Sequence, residues 1–147
     1  VEKGYGELIL RRTRLEEREE VEKDLLIPGI TAVDSALELD CKLVNPSELP
    51  LSLDFENKAY FDFGLLAPPL VVRSRRKGDR FTPFGMKSGS KSLKDLFIEE
   101  KVPRSERWSV PILADREGVL WVVGCRRSDR AKVTAKTLEV LVVERVL

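Results

Sequence analysis

The chain has 147 residues, of which 42% are hydrophobic and 35% are charged, so it is long enough for one domain with a core and a charged exterior. Its longest apolar run, residues 65–72, contains two prolines and is far shorter than the roughly 18 residues that span a bilayer, which predicts a soluble protein with no membrane partner. The sequence has no histidine, which excludes Ser-His and Cys-His nucleophile pairs and any His-containing zinc site. Most familiar hydrolase chemistry is therefore excluded.

The sulfur-containing residues indicate the cellular setting. Cys41 and Cys125 are far apart and form no CxxC motif, which favours two buried thiols in a reducing cytoplasm over a disulfide. The single methionine is Met86 and the chain begins with Val1, which indicates a piece of a longer protein.

The small net charge of +1 hides an uneven distribution. Residues 1–70 contain 8 Lys/Arg and 15 Asp/Glu (−7), residues 71–136 contain 17 and 8 (+9), and residues 137–147 contain 1 and 2 (−1). We therefore expect a single domain, 1–147, with an acidic β-rich lobe at 1–70 and a basic α+β lobe at 71–147. Such asymmetry suggests a polyanionic partner for one face, although a solvated exterior balanced by the acidic lobe would show the same composition.

Strands dominate the prediction for residues 1–70. From residue 37 to residue 43, apolar residues alternate with charged ones, which is the period of a strand buried on one face. Residues 45–50 have the composition of a loop, and a second apolar stretch begins at residue 60. It runs through Pro68-Pro69 to residue 72, and the prolines indicate a strand edge or a crossing.

Residues 73–97 begin with a predicted loop, because glycine and proline recur among charged residues up to residue 89. Ser92 is a plausible N-cap with Asp95 three residues later. The helix that follows would bury an apolar stripe and project Lys94 from its other face. The stripe consists of Leu93, Leu96 and Phe97.

The remaining residues predict one more short helix and three strands. Pro103 suits the first turn of a helix that ends near Trp108. The apolar runs 110–114 and 119–123 flank a sequence typical of a hairpin turn, and the β-branched residues of 137–147 indicate a final strand. These patterns predict a strand-rich α+β fold with one or two short helices.

Two clusters of basic residues are candidate phosphate ligands, since arginine offers a planar fork of donors that matches phosphate oxygens. One lies in the loop 73–89, and the other follows Gly124-Cys125. If the two loops converge, they form one basic surface that the short helices extend. The candidate residues are Arg73, Arg75, Arg76, Lys77, Arg80, Lys87, Lys91, Lys94, Arg104, Arg107, Arg126, Arg127, Arg130 and Lys132. The alternative is that carboxylates such as Asp79, Glu99 and Asp129 pair with many of these side chains at the surface.

Aromatic residues interleave with these basic residues, and exposed rings there could stack on unpaired bases. Trp121 and Phe97 lie in apolar patterns that predict core positions. For Phe81 and Phe84 we favour packing over stacking, because large rings usually bury. Trp108 falls on the second short helix.

No catalytic centre is evident from the residues. Asp79 lies between Gly78 and Arg80, where an aspartate is typical of a turn. The sequence contains no GxxxxGK[ST] or GxGxxG motif and no metal-ligand array. We therefore predict no catalytic residue, metal or cofactor in this chain.

A series of short motifs occurs in a definite order along the chain, most densely from residue 70 to residue 137. It comprises LVVR at 70–73, RRKGDRF at 75–81, Pro83, Gly85-Met86, KSLKDLFI at 91–98, KVPR at 101–104, Arg107, Pro111, LWVVG at 120–124, Val133-Thr134 and Thr137, and upstream Gly4-Tyr5-Gly6, PGIT at 28–31 and YFD at 60–62. Together these motifs resemble the C-terminal domain of bacterial tRNA(Ile)-lysidine synthetases.

The resemblance implies a β-sandwich-like core with a flanking helix, a fold shared with a module of the phenylalanyl-tRNA synthetase β chain. Enzymes of this family use ATP to join free L-lysine to the wobble cytidine of the isoleucine tRNA with a CAU anticodon, forming a carbon–nitrogen bond. The resemblance implies that ATP and magnesium belong to an N-terminal catalytic domain, whose Ser-Gly-Gly-x-Asp-Ser loop does not occur here. This chain would then hold the acceptor stem of the tRNA, with the catalytic domain as a second partner, and would be inactive alone.

A structural role is the alternative function. In that case the acidic lobe docks on the catalytic domain or on a second copy of the chain as a homodimer, and the basic half makes no direct RNA contact. Retention of tRNA by the isolated chain at low and moderate salt distinguishes the two.

Overall fold

The computed structural model describes residues 22–86 and 88–147. Gly4-Tyr5-Gly6 and Lys87 lie outside these residues, so the inferences drawn from them remain predictions. The strands are β1 Glu22–Asp24, β2 Gly29–Asp34, β3 Leu37–Val44, β4 Lys58–Asp62, β5 Val71–Arg73, β6 Arg80–Phe81, β7 Lys91–Ser92, β8 Ile112–Asp115, β9 Gly118–Val122, β10 Arg126–Arg127 and β11 Val140–Val146. Helix α1 is Leu93–Glu99, and 3-10 helices occur at Pro46–Glu48, Phe63–Leu65 and Arg104–Ser109.

The strands form three antiparallel sheets. One has five strands in the order β1-β5-β8-β9-β10, one has four in the order β2-β3-β11-β4, and β6 pairs with β7. β11, near the end of the chain, lies between β3 and β4, while β1 pairs with β5. Both larger sheets thus combine strands from the two sides of residue 70, so the acidic and basic stretches of sequence share one pair of sheets.

The alternation at residues 37–43 produces the predicted strand. In β3, Leu37, Leu39 and Cys41 are buried while Glu38 and Lys42 are exposed. The buried side chains face the five-stranded sheet, because they belong to one apolar cluster with β8 and β9 residues. The strand prediction and the sandwich-like core are confirmed.

A bulge in β9 helps to fill this core. Leu113 pairs with Trp121 and Ala114 with Val119, which leaves Leu120 as the extra residue. A bulge bends the strand and re-aims side chains, and the consecutive residues Leu120 and Trp121 both join the cluster between the sheets. Trp121 is a core residue, as predicted.

The other face of the five-stranded sheet is covered by α1. Leu93, Leu96 and Phe97 pack with Ile112 and Val122 in a second cluster, which also contains Phe81. The Ser92 hydroxyl accepts a hydrogen bond from the Asp95 N–H at 3.0 Å, as an N-cap should. The predicted helix, its buried stripe and the packing of Phe81 are confirmed.

One connection and one helix differ in detail from the sequence prediction, and a second connection agrees with it. The loop 73–89 contains the short strand β6, which pairs with β7 in a segment that the sequence assigned to loop and N-cap. The chain passes from β4 in one sheet to β5 in the other through Pro68-Pro69, so the prolines do mark a crossing. The second predicted helix is a 3-10 helix.

Both cysteines are free thiols, Cys41 buried and Cys125 half-buried. Within residues 22–86 and 88–147, no helix is long and apolar enough to cross a membrane.

Candidate nucleic-acid interface

The loop after β5 is organised around one carboxylate. Asp79 accepts hydrogen bonds from Arg73 Nη1 at 2.9 Å and Nη2 at 3.1 Å, and from the Arg76 backbone N–H at 2.7 Å. The turn passes through Gly78 at φ +88°, a conformation that favours glycine. Because Asp79 draws Arg73 inward and closes the turn, the side chains of residues 75–77 are left on the outer side of the loop.

Helix α1 is tied to the same loop. The Leu93 N–H donates to the Asp79 carbonyl at 3.1 Å, which fixes the start of the helix beside the turn. Lys94, one residue later, is exposed, as its position off the apolar stripe predicts. The helix register therefore places a lysine next to the basic loop.

A cleft of about 360 Å³ opens between these two segments. We call it the basic cleft. Four cations line it, namely Arg75, Arg76, Lys77 and Lys94, and Trp108 of the Arg104–Ser109 helix lines it as well. Its one lining carboxylate is Asp79, which is already bound to Arg73.

The cations of the basic cleft differ in how far they are neutralised. Arg76 forms an ion pair with Glu22. The Arg75 guanidinium lies 5.9 Å from the centre of the buried Phe97 ring, a cation–π contact that leaves its charge intact. Lys77 and Lys94 have no ion-pair partner among the described residues and are exposed. The cleft thus presents a positive surface.

Arg130, a member of the second basic cluster, turns inward instead. Its two terminal nitrogens bind the Asp115 carboxylate at 2.8 and 2.7 Å, and the Asp115 side chain is fully buried. Asp115 also accepts from the Ala67 N–H at 2.9 Å. These hydrogen bonds outweigh the cost of burial and hold the pKa of Asp115 below its usual range. This pair ties β8 to the 126–132 loop.

Arg127 is also turned inward. Its guanidinium lies between two aromatic rings, 4.4 Å from the centre of Phe61 and 4.9 Å from that of Phe84. It donates to the carbonyls of Ser128 and Tyr60. Loss of hydration lowers the pKa of Arg127 to about 10, so it stays charged at neutral pH.

The other candidate residues lie at several places on the surface. Arg80 donates to the Ser90 hydroxyl at 2.8 Å, Lys91 pairs with Glu99, and Lys132 lies 3.3 Å from Asp129. Arg104 is exposed on the 3-10 helix that carries Trp108, and Arg107 on the same helix donates to the Val102 carbonyl at 3.0 Å. Arg126 is exposed on β10. Several expected carboxylate pairs are thus present, and they leave the basic cleft uncovered.

The two basic loops meet through their backbones. The Phe84 N–H donates to the Arg127 carbonyl at 3.0 Å, and the Asp129 N–H donates to the Thr82 carbonyl at 2.7 Å. Their charged side chains, however, line different openings. Arg126 and Arg127 border a second cleft of about 390 Å³, whose other walls include Phe55 and Lys58 from the acidic stretch of sequence. Neither Phe55 nor Lys58 stands out in the sequence, because neither lies near a basic cluster.

Neither a metal-binding group nor an activated thiol is found among the described residues. Among residues 22–86 and 88–147, no three His, Cys, Asp or Glu side chains are grouped to hold a metal ion. Burial raises the pKa of Cys41 to about 12, and burial also raises that of Cys125, so neither thiol is activated as a nucleophile. A cleft with several uncompensated cations is suited to hold phosphate groups.

Comparison with known proteins gives a consistent family assignment. A family model described as "TilS substrate C-terminal domain" matches residues 70–143. The tRNA(Ile)-lysidine synthase of Caldanaerobacter subterraneus subsp. tengcongensis is 37% identical over 142 residues, which is 97% of this chain and 30% of that protein. The chain spans less than a third of the curated relatives that it matches.

A solved structure shows the same likeness. A crystal structure of a TilS C-terminal domain superposes with a TM-score of 0.76 at 27% identity, covering 86% of this chain and 96% of the other. An N-terminal fragment of the phenylalanyl-tRNA synthetase β-subunit from Pyrococcus horikoshii aligns with 60% of this chain and 27% of its own, at 26% identity and a TM-score of 0.47.

Proposed function

This chain belongs to the TilS substrate C-terminal domain family, and from that premise we propose that it is the tRNA-binding part of a tRNA(Ile)-lysidine synthase. In this proposal the basic cleft contacts the phosphates of the acceptor stem of the isoleucine tRNA with a CAU anticodon. The enzyme would act in the cytoplasm, with its N-terminal catalytic domain as the second partner of this chain.

One observation carries the proposal, namely the charge left uncompensated in the basic cleft. Lys77 and Lys94 are exposed on two different segments that one hydrogen bond, from Leu93 to Asp79, holds side by side. Neither lysine forms an ion pair with a described residue, while the one lining carboxylate is bound to Arg73. Lysines on a fixed frame supply phosphate contacts that position a nucleic acid without reading its sequence.

The lining charges of the basic cleft favour recognition of a helical stem. Double-stranded RNA is recognised mainly through its phosphates, its 2′-hydroxyl groups and its shape. The four cations that line the basic cleft are suited to contact the phosphates of such a stem. The lining also contains one half-buried aromatic residue, Trp108. We therefore assign the stem to this cleft and leave the choice of base to other parts of the enzyme.

The reaction itself belongs, in this proposal, to the catalytic domain, which would bind ATP, magnesium and lysine. The described residues supply an anion-binding surface, and the sequence has no nucleotide-binding loop. We expect the isolated chain to incorporate no lysine into tRNA and to hydrolyse no ATP. Lysine incorporation by this chain alone would contradict the assignment.

The test is a salt titration of tRNA binding by the isolated chain and by two variants of equal charge. Lys77→Ala removes a cation from the basic cleft. Lys136→Ala removes an exposed lysine that does not line this cleft. Each phosphate contact contributes about 0.7–0.9 to the slope of log affinity against log salt, so Lys77→Ala should lower that slope by nearly one and Lys136→Ala should leave it unchanged.

Two outcomes would contradict the proposal. If the wild-type chain does not retain tRNA at low salt, the structural or dimerisation role becomes the better account. If both variants change the slope equally, the chain attracts RNA through its overall charge and the basic cleft is not the binding site.

A further inference from the structure

The second cleft, between Arg126 and Phe55, has no part in the function proposed above. We call it the aromatic cleft. Its volume of about 390 Å³ falls within the roughly 300–1,000 Å³ typical of small-ligand pockets. Two phenylalanine rings that line it, Phe55 and Phe84, are 63% and 43% exposed, although large rings usually bury.

Phe84 is held firmly in place despite its exposure. The Arg127 guanidinium lies 4.9 Å from the centre of the ring, and the Phe84 N–H donates to the Arg127 carbonyl. Arg127 is fixed in turn by the buried Phe61 ring and by backbone carbonyls. The structure thus stabilises a ring that still presents a large part of its surface to solvent.

Phe55 approaches the same cleft from another segment. Its ring packs edge-to-face on Tyr60, with the ring centres 5.9 Å apart. The Tyr60 hydroxyl accepts a hydrogen bond from the Asp54 N–H at 3.2 Å, which fixes the turn that carries Phe55. Two aromatic residues from distant parts of the sequence therefore line one opening.

The charges around the aromatic cleft favour an anion. Lys58, Arg126 and Arg127 line it, against one carboxylate, Glu56. Arg126 is exposed and has no ion-pair partner among residues 22–86 and 88–147. The cleft combines an aromatic surface with a positive rim.

The Gly124 position in the lining of the aromatic cleft requires a glycine. Gly124 adopts φ +85°, and a Cβ atom added there would lie 2.6 Å from Nη1 of Arg145. A larger residue at this position would therefore be strained and would displace the arginine. The glycine thus lets the Arg145 guanidinium lie against the backbone at this edge of the cleft.

From these features we propose that the aromatic cleft binds one unpaired nucleotide of the RNA, with the base stacked on Phe84 and Phe55 and its phosphate near Arg126. An unpaired base can leave its neighbours and stack on an aromatic side chain, whereas the bases of a duplex are already stacked and paired. This inference rests on the proposed function, because it takes RNA as the ligand, and it adds a single-strand site to the stem site.

The test compares two RNA probes on the isolated chain, a short unstructured oligonucleotide and a blunt-ended hairpin whose compact tetraloop keeps its bases stacked. Phe84→Leu removes the ring and keeps an apolar side chain, while Phe84→Tyr restores a ring. Ile98→Ala changes an exposed apolar residue that does not line the aromatic cleft and serves as the control. Binding is measured by fluorescence anisotropy, and thermal melts show whether each variant is folded.

We expect Phe84→Leu to weaken binding of the oligonucleotide about fivefold to a hundredfold, which is the usual contribution of one stacked base. Hairpin binding should stay within about twofold, and Phe84→Tyr and Ile98→Ala should resemble the wild type. If Phe84→Leu fails to fold, Arg126→Ala decides instead, since its loss should lower the salt slope for the oligonucleotide by about 0.7 and leave that for the hairpin unchanged.

Unchanged oligonucleotide binding by a folded Phe84→Leu variant would overturn the inference, as would an equal loss for both probes. Those results leave the stem proposal intact provided that the hairpin still binds the wild type. If the wild type binds neither probe, the proposed function and this inference fail together. Hairpin binding that depends on Lys77 but not on Phe84 is the pattern that separates the two sites.

Discussion

The residues 75–77 and the residues 126–130 each contain three Lys or Arg residues, yet the structure directs these side chains differently. The first group lines the basic cleft, where Lys77 has no ion-pair partner among the described residues. In the second group Arg130 binds the buried Asp115, and Arg127 is enclosed by two rings. One group is available to a polyanion, and the other largely connects strands and loops.

The cause of this difference is where the nearest carboxylate lies. Asp79 is in the same turn as residues 75–77, but it is bound to Arg73 and forms no ion pair with Arg75 or Lys77. Asp115 is at the end of β8, buried against the 126–132 loop, and it draws Arg130 into the fold. A run of arginines therefore indicates RNA binding only where the nearby carboxylates are bound to other residues of the fold.

The largest expected effect concerns the buried face of α1, the helix that carries Lys94 of the basic cleft. Leu96 is fully buried under α1, whereas Lys94 on the same helix is exposed. Leu96→Ala should lower the free energy of unfolding by roughly 2–5 kcal/mol, because it leaves a cavity. Lys94→Ala should change stability by less than about 0.5 kcal/mol. Urea titrations of both variants measure this, and equal stabilities would show that the helix register is wrong.

The next largest effect on stability concerns Arg130 and Asp115, which pair inside the fold. Asp115→Ala leaves Arg130 with the more distant Glu117, at 3.5 Å, in place of its buried partner and removes the acceptor of the Ala67 N–H. We expect a loss of about 3 kcal/mol, toward the lower end for a broken buried pair because the Arg130 side chain remains 28% exposed. The salt slope for tRNA binding by the folded fraction should not change. A variant as stable as the wild type would mean that this pair does not hold the loop.

Acid should reveal the same carboxylate. The pKa of Asp115 is lowered in the folded state, so its ionised form stabilises the protein above the pKa of an unfolded aspartate, about 4. That stability is lost as the pH falls from about 4 through the lower folded pKa. The stability of the Asp115→Asn variant should change less than that of the wild type over this pH range. Urea midpoints from pH 6 down to pH 2 measure the difference. Parallel pH curves for the two proteins would contradict the assignment.

The smallest expected effect is the change in tRNA binding when one exposed lysine is removed. Lys94→Ala should lower the salt slope for tRNA binding by nearly one, with little change in melting temperature. Arg130→Gln is the matched control from the inward group, and it should cost stability and leave the slope unchanged. If Arg130→Gln lowered the salt slope and Lys94→Ala did not, residues 126–130 would bind the tRNA and the basic cleft would not.

Local features of the fold could be predicted from the sequence. Whether each arginine side chain points to solvent or into the fold could not. The N-cap at Ser92, the stripe of α1 and the hairpin of β8 and β9 depend on neighbouring residues, and each is present. The position of β11 between β3 and β4 depends on pairing across some hundred residues, which no local pattern contains. The capture of Arg130 by Asp115 requires the same long-range information.

The candidate site divides in the same way. Lys94 could be placed on the exposed face of its helix from periodicity alone, and the structure agrees. Phe55 could not be connected with Arg126, because the two lie in segments of opposite charge that only the folded sheets bring together. Phe84, for which the sequence favours packing, both packs on Arg127 and remains exposed.

The most direct test of the central claim is a salt titration of tRNA binding by the triple variant Arg75→Ala, Lys77→Ala, Lys94→Ala. These three side chains line the basic cleft, and no carboxylate among the described residues forms an ion pair with them. We predict that the magnitude of the slope falls by about 2–3 relative to the wild type, with the melting temperature nearly unchanged. A variant that is folded and keeps the wild-type slope would contradict the account, because the basic cleft would then hold no phosphate.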